Sequence, residues 1–484
     1  MNGKTIKNSI FNIFKTLGSL LFPIVTFSYA SRIFLTEGMG RINFANSVVA
    51  IFAIFAKLGI NQYGIRECVR KKGDKPALSK LFCEIVAINL ISAMITFIAL
   101  LIFTWKNQMA HEYRHEILLY GMTIFLGVFG FDWLYEAYED YKYIAVRSLI
   151  IQFISLILVL LLVHRREDLY VYISIQVIAS AGANLFGLYH AKKYVSYSKV
   201  AFSALSKHVH SILNLFLVTL FLKIFTDMDT VMLRFLSSER EVGLYSASYK
   251  ISTVLCGMIT AATTVILPRV ADAFFRNNND KANEIIKLAI QSILFIGLPL
   301  SIGSCIFAEK FILILGGEDF HKAAISARIL ALRTFLSPIN AMLLLHYLIP
   351  KKKEKEAIII SAIAAASNVV LNYFLIPLHG AVGASLAIVA AEAIEFVFLF
   401  FYIRKYMSFK YAFSGISQYC LCVIPVVFIA YCASKIIRNN YISITAGVLL
   451  SVPCYLLLLW MMRNQFVMYG INMIREVSET SEIS

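Results

Sequence analysis

The sequence predicts an all-α integral membrane protein with about fourteen transmembrane helices, each formed by one apolar stretch near the ~20 residues that a span requires. The composition agrees, because 59% of the 484 residues are hydrophobic and 15% are charged, whereas soluble domains carry about 25% charged residues. A few cations nevertheless lie inside the apolar stretches. Charge at that depth is typical of a transport pathway, so the pattern predicts a transporter.

The apolar stretches account for nearly the whole chain and leave no room for a soluble catalytic domain. Because their number is even, both termini are predicted on the same side of the membrane. The predicted spans are residues 10–31, 42–60, 81–104, 116–138, 143–163, 169–190, 211–236, 243–267, 288–308, 325–349, 357–378, 382–403, 413–433 and 441–462.

Lysine and arginine are distributed unequally between the two sides of the predicted membrane. Of these 45 residues, 28 lie in loops on the side of the termini and 13 lie on the other side. Because cytoplasmic loops collect Lys and Arg, both termini are predicted to be cytoplasmic. The same rule accounts for the formal net charge of +16. The loops contain no basic stripe with interleaved aromatics, so no nucleic-acid partner is expected.

Motifs for catalysis or metal binding are absent or misplaced. The cysteines are scattered, and Cys420 and Cys422 lie in an apolar run, which is typical of small buried hydrophobic residues rather than of a metal site. The triplet Asp227-Met228-Asp229 resembles the acid pair of glycosyltransferases, but it lies in the predicted outer half of span 7, away from cytoplasmic nucleotide sugars. No ATP-binding P-loop pattern occurs. We therefore expect no catalytic residue, metal or cofactor, and no enzyme activity.

Four cations are assigned to the spans rather than to the adjacent loops: Lys57, Lys223, Lys250 and Arg333. Lys57 lies near a cytoplasmic end, where its side chain can extend to the surface, and Lys223 is one helical turn before Asp227, with which it can pair. Lys250 and Arg333 lie deeper, and an isolated charge in lipid costs at least about 2.5–3.5 kcal/mol. Two interpretations remain open for both residues. They face a hydrated lumen, or they form a buried pair with an acid on another span.

Other charged residues lie at span ends or inside spans. Arg32 closes span 1 at the predicted outer mouth, where an arginine binds phosphate or carboxylate with two nitrogens or anchors the helix at the interface. Asp132 and Glu136 share one helix face near the cytoplasm, either as acids in an aromatic interface belt or as a titratable or cation-binding pair. Glu392 lies deep in span 12 and is a candidate partner for a cation elsewhere.

A faint internal repeat relates the turns after spans 1 and 7. The first reads FLTEGMGRINFANS and the second reads FLSSEREVGLYSAS, and each places a glycine, Gly40 or Gly243, just before a span with small and polar residues. Transporters are often built from such repeats, with the cargo site between them.

Five stretches of the chain resemble one family, the Wzx-type polysaccharide flippases, which form the polysaccharide-transporter branch of the MATE/MurJ-like superfamily. The resemblance extends over nearly the whole chain. The stretches are FPIVTFSYASRIFLTEGMGRINFANSVVAIF with LGINQYGIRE, then FDWLYEAYEDYKYIAVRS, MDTVMLRFLSSEREVGLYSASYKI, LPRVADAF and LNYFLIPLHGAVGASLAIVAAE.

The resemblance implies an architecture and an activity. It implies two six-helix lobes, residues 1–207 and 208–410, around a central cavity, with a terminal helix pair at 411–463 and a cytoplasmic tail at 464–484. Such proteins move an undecaprenyl-diphosphate-linked oligosaccharide repeat unit to the outer leaflet of the bacterial plasma membrane, for O-antigen, capsule or related polymers. The implied partners are the lipid-linked oligosaccharide, membrane lipids, and polysaccharide polymerase and chain-length machinery.

The family pattern matches this chain at several positions. Arg32 lies in the span-1 S-R element, Asp229 in the D-T-[VI]-M-L element, and Trp133 with Glu139 in the D-W…E-D-Y-K element. The chain departs from the pattern at Arg234, where the family usually has a small residue after M-L.

The predicted site consists of cavity cations and of acids that couple or gate transport. Lys223 and Arg333 fall in variable parts of the family pattern, so their role follows from position alone. The cations are Arg32, Lys250, Arg333 and Lys223, and the acids are Asp132, Glu136, Asp227, Asp229 and Glu392.

Three alternative functions remain. A lipid II flippase is the nearest one, and a MATE-like cation-coupled exporter would usually have twelve spans. A membrane polymerase or ligase would usually carry a large periplasmic loop.

Overall fold

The computed structural model describes the backbone of residues 3–196, 198, 199, 202–264, 270, 272–274, 276, 278–409, 413 and 415–468. Side chains are described for most of these residues, but not for 3–17, 20, 202–204, 210, 214, 215, 217–219, 221–226 and 261–264. Within these ranges the chain forms helices joined by short turns and contains no strand. The predicted all-α class is therefore confirmed. The predicted tail lies outside the described residues after position 468.

The helices follow one another with few intervening residues. In chain order they are α1 (Gly3–Lys57), α2 (Ile60–Arg70), α3 (Lys75–Lys106), α4 (Gln108–Glu112), α5 (Arg114–Val128), α6 (Asp132–Ala137), α7 (Tyr141–Leu162), α8 (Leu169–Ala181), α9 (Gly187–Ala191), α10 (Phe202–Leu236), α11 (Glu239–Thr264), α12 (Asn279–Ile306), α13 (Ala308–Gly316), α14 (Ala323–Leu330), α15 (Arg333–Ala341), α16 (Glu354–Ile403), α17 (Ile416–Ile436) and α18 (Asn440–Met461). A π-helical turn, Met342–Leu348, continues α15.

Two of these helices are too long for one membrane crossing, and each contains a break. α1 has 55 residues, which would extend about 80 Å at 1.5 Å per residue, against a hydrocarbon core of about 30 Å. Leu35 interrupts α1 with φ 58° and ψ −169°, and Gly380 interrupts α16 with φ 54° and ψ −127°. The breaks fall between predicted spans 1 and 2 and between predicted spans 11 and 12.

Nine helical stretches of the described residues are long and apolar enough to cross a membrane. The bent pair Ala323–Leu330 and Arg333–Leu348, with a bend of 43°, makes ten if it counts as one span. Two of the nine, Leu21–Arg70 and Glu354–Ile403, contain the breaks and have 50 residues each, enough for two crossings of about 20 residues. The protein is thus a multi-pass membrane protein, and the count of fourteen stays a prediction.

Many large apolar side chains face outward and several acids are buried, which is the reverse of the arrangement in a soluble protein. Large apolar side chains are exposed on the helices, such as Ile95 at 63% and Phe428 at 70%. Acids are enclosed between helices instead, with Asp229 at 0% and Glu116 at 1%. Because burying an acid in a soluble protein is rare, this distribution indicates that the outer surface contacts lipid.

Polar residues at helix starts determine where several spans begin. Asp74, Asn107, Asn278 and Asn439 precede α3, α4, α12 and α18, and each side chain accepts a hydrogen bond from the backbone N–H three residues later. These bonds satisfy N–H groups that have no partner within the helix. These caps therefore stabilise the first turns of the four helices.

The described residues form two compact units. The first contains the chain up to Ser246 together with Val369–Ala384, and its core includes Phe82, Phe131 and Trp133. The second contains Ala247–Asn368 and the chain from Ser385 onward. In the second unit Tyr455 of α18 donates a hydrogen bond to the carbonyl of Phe295 in α12, at 3.2 Å. The lobe boundaries at residues 207, 410 and 463 stay predictions.

Candidate functional site

Arg333 and Glu392 form a buried ion pair in the second unit. Arg333 begins α15, after the bend, and Glu392 lies in the middle of the second half of α16. The Nε atom of Arg333 donates to Oε1 of Glu392 at 2.7 Å, and both side chains are almost fully buried. Two interpretations were open for Arg333, a hydrated lumen and a buried pair with an acid. This contact is the one that the buried-pair interpretation predicts. Whether cargo also reaches Arg333 stays a prediction.

Neutral polar groups surround this ion pair. The guanidinium carbon of Arg333 lies 4.7 Å from the ring centre of Tyr249, a cation–π distance. The Sγ atom of Cys256 donates to the backbone carbonyl of Arg333 at 3.5 Å. Asn340 donates to the backbone carbonyl of Glu392 at 2.9 Å. The pair is therefore held by three helices of the same unit.

Asp229 is the centre of a second buried cluster, in the first unit. Its carboxylate accepts a hydrogen bond from the hydroxyl of Tyr245 at 2.5 Å and from Nδ2 of Asn372 at 2.6 Å. These partners lie on α11 and on the first half of α16. Asp227 lies half-buried on the same helix as Asp229. The predicted Lys223–Asp227 pair involves a side chain outside those that the structure describes.

The remaining predicted cations lie in different places. Arg32 is exposed, and its Nη1 donates to the hydroxyl and the carbonyl of Ser28 one turn earlier in α1, the hydroxyl at 2.8 Å. Lys250 is half-buried on α11. Their predicted contact with cargo stays a prediction.

The predicted acids Asp132 and Glu136 lie on the short helix α6, both half-buried. The described partner of Asp132 is Arg147 of α7, which forms an ion pair with it. Arg147 is 7% exposed, and its guanidinium also lies 5.3 Å from the ring centre of Tyr143. Arg147 was not predicted as a site residue, because it was counted among the loop cations. Its position inside predicted span 143–163 was the available signal.

The two turns of the internal repeat contact each other reciprocally in the first unit. A Cβ atom on Gly40 would lie 1.9 Å from the carbonyl oxygen of Glu239, and one on Gly243 would lie 2.0 Å from that of Thr36. Both glycines are four residues after the contacted residue of their own turn. Gly40 thus contacts Glu239, which is the repeat equivalent of Thr36, and Gly243 contacts Thr36 itself. The contact has local two-fold symmetry and leaves space only for glycine.

Polar side chains extend this contact on the predicted outer side. Arg41, which follows Gly40, donates to Oε1 of Glu116 at 2.6 Å. Glu239 accepts a hydrogen bond from the hydroxyl of Tyr113, and the same hydroxyl accepts one from Nε of Arg234 at 2.7 Å. This network explains Arg234, the residue that departs from the family pattern.

Two histidine clusters lie at the predicted cytoplasmic end of the first unit, and the sequence analysis missed both. His208 lies 2.8 Å from Oε2 of Glu84 through Nε2, and its Nδ1 lies 2.5 Å from the hydroxyl of Tyr63. The three side chains are buried. Glu84 falls inside predicted span 81–104, so an acid within a span was the available signal.

The second cluster centres on Asp140, between the spans that end at Ala137 and begin at Tyr141. Nε2 of His190 lies 2.9 Å from Oδ2 of Asp140, and the hydroxyl of Tyr194 donates to the same oxygen at 2.8 Å. Burial alone would raise the pKa of Asp140, but the hydrogen bonds from His190 and Tyr194 outweigh it and lower that pKa. The carboxylate is therefore held in its charged form.

An apolar cavity of about 360 Å³ lies within the second unit. It is bounded by α12 on one side and by the α17–α18 pair on the other, with residues such as Phe295, Pro299, Phe307, Val426 and Tyr455. Its lining suits hydrocarbon rather than a sugar or a phosphate.

Taken together, the long apolar helices, the apolar outer surface and the buried ion pairs define an all-helical multi-pass membrane protein. Residues 5–274 match the family described as polysaccharide biosynthesis protein. Because the match extends over more than half of the 484 residues, the chain belongs to this family.

Curated relatives include flippases of glycan assembly. A probable low-salt glycan biosynthesis flippase of Haloferax volcanii, Agl15, is 24% identical over 39% of this chain and 40% of the relative. The lipid II flippase MurJ of Bacillus subtilis is 26% identical over 34% of this chain and 30% of the relative. The chain thus matches less than half of the length of these relatives.

Solved structures extend the likeness to nearly the whole chain. A structure of the lipid II flippase MurJ in an inward closed conformation has a TM-score of 0.76, with 15% identity over 96% of this chain and 100% of that chain. An inward-facing multidrug resistance MATE family transporter of the MOP superfamily has a TM-score of 0.61, with 14% identity over 81% of this chain and 97% of that chain. At these identities the likeness shows the fold.

Proposed function

We propose that the protein is a flippase that moves undecaprenyl-diphosphate-linked oligosaccharide repeat units from the cytoplasmic to the outer leaflet of a bacterial plasma membrane. The cargo would supply O-antigen, capsule or exopolysaccharide synthesis, and translocation would occur by alternating access. The termini would lie in the cytoplasm.

The family match carries this proposal. The family is described by polysaccharide biosynthesis, and the described residues build a multi-pass transporter fold. The step of polysaccharide assembly that requires a transporter rather than a catalyst is the passage of a membrane-bound intermediate across the bilayer. The curated names of the relatives, which are flippases, support the same step.

The chemistry of the second unit supports a cargo with a lipid tail and a charged head. The apolar cavity between α12 and the α17–α18 pair suits part of an isoprenoid chain. Arg333 and Lys250 are the cations of this unit that we propose for the diphosphate, because guanidinium and ammonium groups bind phosphate through charge-assisted hydrogen bonds. Arg32, at the predicted outer mouth of the first unit, is a further cation that we propose contacts the cargo. Polymerase and chain-length proteins are proposed as partners that receive the translocated unit.

Deletion of the gene tests the proposal in cells. We expect the lipid-linked repeat unit to accumulate on the cytoplasmic face and surface polysaccharide to be lost, both restored by the wild-type gene. A strain that builds up no lipid-linked intermediate would contradict the proposal.

A lipid II flippase is the second candidate, favoured by the TM-score of 0.76 with MurJ. In that case the accumulating lipid would carry the peptidoglycan precursor, and cell-wall synthesis would stop instead. A MATE-like cation-coupled exporter is the third candidate. Its loss would leave both lipid-linked pools unchanged and would lower resistance to exported compounds.

A further inference from the structure

The second unit buries one more acid than the ion pair requires. Glu392 and Glu395 lie less than one turn apart on α16 and are 1% and 7% exposed, and Arg333 is 6% exposed. All three belong to helical stretches that are long and apolar enough to span a membrane. Two ionised carboxylates beside one guanidinium would leave a net negative charge there.

The two acids have different partners. Glu392 is engaged by Nε of Arg333 at 2.7 Å. The described hydrogen bonds of Glu395 come from neutral groups: its Oε1 bonds to the hydroxyl of Ser361 at 3.4 Å, and the side chain of Asn340 also bonds to its carboxyl group. No cation contacts Glu395 in the part of the chain that the structure describes. An ionised carboxylate held only by neutral groups at this depth would be costly, whereas a protonated carboxyl is neutral and can itself donate to Ser361.

The described contacts that this cluster receives from α11 and α15, apart from Arg333, come from uncharged groups. Tyr249 and Cys256 of α11 contact Arg333, through its guanidinium and its backbone carbonyl, and both are neutral in these contacts. Asn340 of α15 contacts the backbone of Glu392. Among the described contacts, Arg333 is the cation of this cluster, and it pairs with Glu392.

We propose that Glu395 carries an exchangeable proton, and that Glu392, Glu395 and Arg333 together form the proton-binding site of this transporter. Loss of the proton would create a second carboxylate on the same face of α16 as Glu392. The Nη1 atom of Arg333 is buried and has no hydrogen-bond partner among the described atoms. The guanidinium therefore has a donor for the carboxylate that Glu395 would form. The coupling of this proton to cargo movement rests on the proposed function, but proton binding itself does not.

The surrounding backbone is suited to such an exchange. Arg333 directly follows the 43° bend between α14 and α15, and the π-helical turn Met342–Leu348 continues α15. π-Helical turns occur frequently at functional sites, because they interrupt the regular hydrogen-bond ladder of a helix. A change in the partner of Arg333 would therefore act on a helix that is already bent and locally irregular.

Infrared spectroscopy of the purified full-length protein tests proton binding without any cargo. We expect the wild-type protein at neutral pH to show the C=O stretching band of a buried protonated carboxyl, and we expect this band to disappear at high pH. Glu395→Gln should remove the part of the band that disappears at high pH, because it reproduces the shape of the neutral carboxyl without its proton. Arg333→Gln should increase its area about twofold, because both acids would then be neutral.

Glu354→Gln is the matched control, because Glu354 is an exposed acid at the start of the same helix. The control should retain the wild-type band. An unchanged band in Glu395→Gln would overturn the proposal, and so would a band that responds to sodium at constant pH. If Arg333→Gln does not fold, Glu395→Gln decides the question, since it removes no charge from the proposed protonated state.

A transport assay then separates this inference from the proposed function. In proteoliposomes that contain a lipid-linked oligosaccharide, a pH gradient should accelerate translocation by the wild type and by Glu354→Gln, but not by Glu395→Gln. Equal acceleration in Glu395→Gln would overturn the role of this proton in coupling. If no variant moves the lipid but the infrared band behaves as expected, the flippase proposal fails while the proton site stands.

Discussion

Charged side chains inside this protein are stabilised by specific partners on neighbouring helices. Arg333 pairs with Glu392, Asp132 pairs with Arg147, and the carboxylate of Asp229 accepts two hydrogen bonds. Such pairs are required because an unpaired charge in a low-dielectric interior is expensive. The same pairs are the positions at which a proton or an anionic cargo would change the balance of charge.

Breaking the Arg333–Glu392 pair should destabilise the protein more than removing it. We expect Arg333→Met alone to cost about 3–5 kcal/mol, because Glu392 loses its cation and must either stay charged in a buried site or take up a proton. The double variant Arg333→Met/Glu392→Met should recover most of that loss. Thermal unfolding of the purified variants in detergent measures both. A double variant less stable than either single variant would contradict this account of the pair.

Asp140 should make stability depend on acid pH. Its pKa is lowered in the folded protein, so its contribution is fully present above the unfolded value of about 3.9 and is lost as the pH falls through the lower folded value. Asp140→Asn should therefore lower the melting temperature at neutral pH. The difference from wild type should shrink below about pH 4.

The exposed acid Asp280 of α12 provides the control for this measurement. Asp280→Asn should change the melting temperature little at either pH. A deficit of Asp140→Asn that persists at the lowest pH would show that the hydrogen bonds to His190 and Tyr194 do not depend on the charge of Asp140.

At the scale of helices, the two copies of the internal repeat contact each other through α1 and α11. Each helix brings a glycine against a backbone carbonyl of the other turn, and the two contacts are equivalent under the repeat. Close backbone approach of this kind is a general use of small residues between membrane helices. Because both turns lie on the predicted outer side, the contact lies at that predicted end of the first unit.

Substitution of either glycine should open the contact. We expect Gly40→Ala and Gly243→Ala to lower stability by similar amounts, because each Cβ would overlap a carbonyl oxygen. A cysteine at Ser237, beside the contact, should become more reactive toward an impermeant thiol reagent in both variants. Gly127→Ala is the control, since its Cβ would make one ordinary contact, at 3.9 Å. If only one of the two variants has an effect, the contact is not symmetric in energy.

Hydropathy predicted the all-helical class but not which side chains pair between the helices. The breaks at Leu35 and Gly380 fall between predicted spans, because transfer of a segment into lipid depends on the composition of about 20 consecutive residues. The pairing of Arg333 with Glu392 depends on helix rotation and packing, which composition does not specify. The sequence analysis noted the equivalence of Gly40 and Gly243, but their reciprocal contact appears only when the turns are folded together.

Some site residues were missed for a simpler physical reason. Arg147 and Glu84 lie in the first turns of predicted spans, where charged residues are normally solvated at the membrane edge. In the structure both are buried, and Tyr135 of α6 contacts Arg147 while His208 of α10 contacts Glu84. A charge in the first turn of a span can therefore belong to a buried cluster, and the sequence alone does not reveal which neighbour covers it.

The chain as a whole belongs to a polysaccharide biosynthesis family and has a fold like that of solved membrane transporters. The family match ends at residue 274, whereas the structural likeness to a lipid II flippase extends over 96% of the chain. The C-terminal part contributes the apolar cavity and the proposed proton site. The cavity lies mostly outside residues 5–274, and the proposed proton site lies wholly outside them. We therefore expect cargo and coupling to depend on the second unit as much as on the family region.

Translocation of a lipid-linked oligosaccharide by the purified protein tests the central claim most directly. The protein is reconstituted into vesicles whose lipid-linked oligosaccharide is labelled, and the fraction reached by an impermeant glycan-cleaving enzyme is followed with time. We expect this fraction to rise faster than in protein-free vesicles, and to rise more slowly with lipid II as the only cargo. A rate equal to that of protein-free vesicles for every lipid-linked glycan would contradict the assignment of this chain as a flippase.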